Sequence, residues 1–75
     1  MNIFGRIESN PNVMLGKPVI KGTRITVELL LRKISGGFTF DEILEMYPHL
    51  TKEDIFAAAE YAARVISNED NLILA

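Results

Sequence analysis

The sequence predicts a mainly α domain. Its core, residues 26–67, is a small three-helix, homeodomain-like helix-turn-helix unit preceded by a short β-arm, residues 1–25, and followed by a tail, residues 68–75. Three observations predict this. Apolar residues recur at helical spacing in three successive stretches after Thr26. A threonine stands before each stretch, and a glycine pair, a proline or a polar run follows it. The residues before Thr26 are instead short apolar runs broken by Asn, Pro and Gly turns.

In the arm, "IFGRIE" at residues 3–8 is short, apolar and partly alternating, which predicts a strand. "NPN" at 10–12 is a turn signal. "VMLG" and "PVI" predict short extended pieces, and Lys17 is pushed to extended geometry by the proline that follows it. Lys21-Gly22 predicts a tight turn, with Gly22 suited to positive φ.

Thr26 is placed to cap the first helix. Val27, Leu30, Leu31 and Ile34 then follow the i, i+3, i+4, i+7 spacing of one buried face, and Gly36-Gly37 ends it. Thr39 caps the second helix with Glu42 three residues on, a capping box, and Phe38 and Ile43 occupy hydrophobic-staple positions. Pro48 stops this helix after Ile43, Leu44 and Tyr47. Thr51 and Asp54 repeat the box for the third helix, with Leu50 and Ile55 at its staple positions. Ile55, Ala58, Ala59, Ala62 and Val65 or Ile66 form its expected inner face, where the alanines allow close approach of another helix. The second and third helices should run about 8 and about 15 residues, ordinary lengths.

Composition bounds the function. A chain of 75 residues without cysteine is small and has no disulfide to support it. Oligomerisation, a homodimer first, is the expected compensation. One histidine and no cysteine exclude an ordinary structural zinc site. No window approaches the roughly 20 apolar residues of a membrane helix, and the start "MNIFGRIES" does not read as a signal peptide. A cytoplasmic location is expected. Charge is uneven. Arg6, Lys17, Lys21, Arg24, Arg32 and Lys33 outnumber Glu8 and Glu28 in residues 1–33, whereas eight acids outnumber Lys52 and Arg64 in residues 34–75.

The stretch "GKPVIKGTRITV" carries two readings. As a phosphate loop it fails, because that motif needs Gly-Lys-Ser/Thr four residues after a first glycine. As a basic arm, Lys17, Lys21, Arg32 and Lys33 would touch phosphates in a salt-dependent, sequence-blind way. As structure, Gly22 turns the chain, Thr23 or Thr26 caps a helix, and Arg24 ties to an acid of the second or third helix. The structural reading comes first, and the Arg24 tie is the expected one. The third helix begins "KEDIFAAAEYAAR"; Glu53, Asp54 and Glu60 suit a DNA reader badly. No catalytic constellation, cofactor motif or metal-ligand cluster stands out. His49 sits in a turn with no nucleophile near in sequence, and Asp41, Glu42 and Glu45 read as helix first-turn and exposed-face charges. The tail "NLILA" places Leu72, Ile73 and Leu74 after the polar "SNED". An interface is expected there, with the dimer mate first, and the chain's own N-terminal strand or a toxin as alternatives.

Three pieces, "GKPVIKGTRI", "ISGGFTFDEILEMYPHLT" and "EDIFAAAEYA", lie within residues 7–62. Together they resemble the bacterial and archaeal family catalogued as domain of unknown function 433. The resemblance implies a homeodomain-like helical domain behind a β-arm. It implies for some members an antitoxin-like role beside a PIN-like ribonuclease toxin, and no catalytic residues. Gly16, Lys17, Pro18, Gly22, Thr23 and Arg24 match its motif and are expected to be fold-and-contact residues. The expected function is therefore a non-enzymatic, antitoxin-like dimeric regulator that binds a toxin and, weakly, DNA. Two alternatives stand beside it. One is a protein-interaction module with no nucleic-acid role. The other is a ribbon-helix-helix repressor with "TRITV" as its ribbon and little structure before it.

Overall fold

The computed structural model describes residues 5–67. They form a two-stranded antiparallel arm, β1 (Ile7–Glu8) and β2 (Val19–Ile20), followed by α1 (Val27–Ser35), α2 (Phe40–Met46) and α3 (Lys52–Ser67). The register pairs Ile7 with Ile20 and Glu8 with Val19.

β2 and the turn after it are fastened from several directions. Lys21 donates its amide to the Arg6 carbonyl, Ile20 to that of Ile25 and Val27 to that of Pro18. Gly22 adopts φ +79° with open space where a Cβ would stand, so the backbone angle and not crowding calls for glycine. Its amide reaches the Glu8 carboxylate at 3.0 Å. The Thr23 hydroxyl donates to the Ile20 carbonyl and accepts from the Ile25 amide. Thr26, itself buried, then accepts the Leu29 amide as N-cap of α1. "GKPVIKGTRITV" is thus a built turn that launches a helix. Thr23–Val27 is not a free ribbon: Thr26 caps a helix, and structure extends well before Gly22.

The helices end as their punctuation dictates. After α1, the Gly37 amide reaches the Ile34 carbonyl and the Phe38 amide that of Lys33. With Gly37 at φ +96° this is a Schellman closure. Lys33 Nζ sits 5.1 Å from the centre of the Phe38 ring across the same closure. The Thr39–Glu42 box is complete at both of its bonds. Thr51 and Asp54 exchange the same pair of bonds at the head of α3.

Leu30, Ile43, Ile55 and Val19, one each from α1, α2, α3 and β2, are fully buried and make the centre of the core. Ala57 and Ala58 are buried too, and let α1 lie close against α3. Phe40 and Phe56 meet edge-to-face at 5.3 Å where α2 approaches α3.

Four expectations need correction. The strand is shorter than residues 3–8: Gly5 and Arg6 are in a turn, only Ile7 and Glu8 pair, and residues 3 and 4 lie outside the described residues. "VMLG" is not extended, because Met14–Gly16 curl into a 3-10 turn with positive φ at all three residues. On α3, Ala57 and not Ala59 is buried, and Val65 and Ile66 stand half in solvent. Arg24 ties to no acid: it is exposed, without an ion pair among the described residues. The tie between arm and third helix is made instead by Arg6, whose Nη1 lies 3.0 Å from Asp54 Oδ1.

Candidate functional site

The helix pairing leaves a groove. Val27, Leu31 and Ser35 of α1, with Pro18 behind them, form one wall; Tyr61, Ala62, Val65 and Ile66 of α3 form the other. It is open and holds about 500 Å³. Val65 and Ile66 are 45% and 56% exposed. Leucine, valine and isoleucine appear on these faces because both helices continue their apolar stripe past the point where the core ends. The groove's ionic groups, Glu28 and Arg32, neutralise each other at one edge, with guanidinium nitrogens at 3.1 and 3.2 Å from Glu28 Oε2. Such a surface can take apolar side chains from another molecule.

The Glu28 carboxylate also accepts from Lys17 Nζ at 3.2 Å. The Lys17 and Arg32 hydrogen bonds hold its carboxyl below the ordinary carboxylate range. Lys17, Arg24 and Arg32 border one shallow hollow with Met14. Lys21 borders a different one with Arg6 and Asp54, and Lys33 lies over Phe38. The four lysines and arginines expected to meet phosphate, Lys17, Lys21, Arg32 and Lys33, therefore do not converge on one strip. Two of them already share Glu28.

The motif residues divide by role. Gly22 and Thr23 are structural, as their bonds require. Gly16 takes φ +83° and Pro18 packs at the groove wall. Lys17 and Arg24 are the pair that face solvent. Leu72, Ile73 and Leu74 lie outside the described residues. Among the described residues no group of three or more His, Cys, Asp or Glu side chains is placed to hold a metal ion. No helix among them is long and apolar enough to cross a membrane.

Two functional features escaped sequence reading. Asp54 is a cap and also a buried anchor for Arg6, with the Thr51 hydroxyl 3.5 Å from the same guanidinium nitrogen. The box "TKED" marked Asp54, but nothing local marked its partner 48 residues earlier. The second is Leu15, 93% exposed at φ +58°. A leucine before Gly-Lys-Pro carries no signal of that conformation, which costs roughly 1–2 kcal/mol for a side chain with a Cβ.

The sequence profile described as "Protein of unknown function (DUF433)" matches residues 7–62. An uncharacterized protein of Sinorhizobium fredii is 34% identical over 56 residues, 75% of this chain and 25% of that protein. The chain thus spans a quarter of that relative's length. The crystal structure of a DUF433 member from Anabaena variabilis matches with a TM-score of 0.80 and 34% identity, over 87% of this chain and 64% of the other. The profile spans the arm and nearly all of the helical core, and a solved member agrees in both sequence and backbone: this chain belongs to the DUF433 family.

Proposed function

We propose that this protein is a non-enzymatic, antitoxin-like regulator that acts in the cytoplasm by binding a protein partner, a PIN-like ribonuclease, in the groove between α1 and α3. The observation that carries the reading is the groove itself, with Val65 and Ile66 half exposed on its α3 wall. Burying such a side chain from full exposure is worth roughly 1.5–3 kcal/mol, of which about half remains for each of these half-exposed residues, so the two together supply a hot spot of ordinary size. The paired Glu28 and Arg32 leave the groove edge nearly neutral. An apolar helix or strand from a partner fits that chemistry. The ribonuclease identity of the partner rests on the antitoxin-like role that the family resemblance implies for some members, and the open apolar groove supports the reading.

DNA binding is the second activity in this reading, and a weak one. Arg24 shares one hollow with Lys17 and Arg32, both already bonded to Glu28 there; Arg24 is the charge that supports phosphate contact, while α3 opens on Lys52, Glu53 and Asp54.

The test is coexpression with the product of the adjoining gene, tagged on that product. Wild-type chain should copurify at a fixed ratio. The double variant Val65→Glu/Ile66→Glu should fold, by its helical circular dichroism, and fail to copurify. Retention of the folded variant at the wild-type ratio contradicts the groove as the binding surface.

A further inference from the structure

Two features on opposite sides of the charge balance remain unused by the groove. The first is the tip of the arm. Met14, Leu15 and Gly16 follow one another with positive φ. The turn is held by bonds from the Gly16 amide to the Val13 carbonyl and from the Lys17 amide to that of Met14. It holds Leu15 out at 93% exposure, with Met14 41% exposed beside it. The flank of this tip is basic. Met14 shares a hollow with Lys17 and Arg24, and Arg24 has no ionic partner among the described residues.

The second is a cleft on α2. Phe38, Glu42, Glu45 and Met46 enclose about 350 Å³. Phe38 and Met46 are 40% and 38% exposed, so apolar surface lines it. Glu42 gives one carboxylate oxygen to its own capping box, and Glu45 has no ionic partner among the described residues. Lys33 approaches from the Phe38 side, one ammonium against two carboxylates.

We infer that these features are the two halves of a self-association contact: Leu15 of one copy enters the Phe38–Met46 cleft of a second copy, and Arg24 faces Glu45 across it. An apolar knob with a basic flank meets an apolar cleft with an acidic edge, and the chain carries both. Charge complementarity of this kind fixes register and rejects the reversed pairing. The proposed arrangement places the two copies about a two-fold axis, where each would give one knob and one cleft and the contact would be made twice. The basic flank of the knob adjoins the α1–α3 groove at Glu28 and Arg32, while the groove's apolar wall at Val65 and Ile66 lies outside the contact and stays open to a different partner.

The sequence contains no cysteine, which makes a crosslinking test clean. Isotope-labelled Leu15→Cys protein is mixed with unlabelled Met46→Cys protein and oxidised, and the disulfide-linked masses are read by mass spectrometry. The mixed 15–46 product should exceed, by at least ten-fold, the product of Leu15→Cys with Ser67→Cys, an exposed position at the end of α3. In parallel, sedimentation of Leu15→Asp should give the 8.4 kDa chain where the wild type gives twice that mass. Arg24→Glu and Glu45→Arg should each weaken the dimer at least ten-fold, and their combination in one chain should restore it. A 15–46 yield no greater than the control, a monomeric wild type, or a double reversal that fails to recover would overturn the proposal. Val65→Glu/Ile66→Glu should leave the dimer intact, so a failure of this contact is distinguishable from a failure of the groove.

Discussion

From Thr26 onward, the helix termini are closed by neighbours in sequence. The Thr26 hydroxyl serves Leu29, Thr39 and Glu42 serve each other, and Gly37 and Phe38 serve the end of α1. The arm has local turn bonds of its own, such as Thr23 to Ile20, and adds distant partners to them. The Gly22 amide goes to Glu8, and Arg6 reaches Asp54 on another element 48 residues along the chain. Local closure makes the helical half tolerant at its surface and sensitive in its centre. Long-range closure makes the arm's seating against α3 depend on one residue, Arg6, and its bonds to Asp54 and Thr51. The same contrast separates two arginines, Arg6 as an anchor and Arg24 as a surface charge without an ion pair among the described residues.

The largest effect expected tests the helical half. Leu30 is fully buried on α1, and Leu30→Ala should lower stability by about 2–5 kcal/mol. Urea denaturation with unchanged m-value is the check. In a chain this small that loss brings the midpoint near zero denaturant.

Asp54 joins the two regions. Asp54→Ala removes the α3 capping partner of Thr51 and the anchor of Arg6 together, and should cost about 2–3 kcal/mol. Arg6→Ala should cost about 1 kcal/mol or less, because the Arg6 side chain is 38% exposed and the pair is partly screened. Arg24→Ala, compared on the monomeric Leu15→Asp background so that association does not enter, should change stability by under about 0.5 kcal/mol. Thermal melts of the three variants decide it, and equal losses for Arg6 and Arg24 would erase the distinction between them.

Leu15→Gly is expected to act the other way. Glycine relieves the positive φ at Leu15 and loses more chain entropy on folding, which leaves a gain of roughly 0.5–1 kcal/mol. A stabilised arm tip that no longer supports association would show strain kept in place for a contact. The smallest effect concerns Glu28. Its folded pKa is lowered by Lys17 and Arg32, so its contribution is present above the ordinary carboxylate pKa and is lost as pH falls through the folded value. The melting difference between wild type and Glu28→Gln should therefore shrink toward acid pH, and a difference that grows there would reverse the assignment.

The division between local and distant closure also governs how much was legible in the sequence. Thr26, Thr39, Thr51, Gly37 and the helical apolar spacing are local signals, and the three helices stand within a residue or two of where those signals put them. Gly22 and the Lys21-Gly22 turn were legible for the same reason. The left-handed run at Met14 and Leu15 was not, since neither residue type favours positive φ and only the surrounding bonds impose it. The Arg6–Asp54 tie was placed on Arg24, because charge balance names the halves that attract and geometry alone names the pair. The groove was half legible. Val65 or Ile66 was expected to face inward; both line the α3 wall of the groove, but the core ends before reaching them.

The central claim, that the α1–α3 groove binds and restrains a ribonuclease partner, is tested most directly by titrating the purified partner with this chain and following cleavage of a fluorogenic RNA. Wild-type chain should suppress cleavage stoichiometrically. Val65→Glu/Ile66→Glu should require at least ten-fold more chain for the same suppression, while Leu15→Asp inhibits as the wild type does per chain. Inhibition by the groove variant at the wild-type ratio would contradict the account.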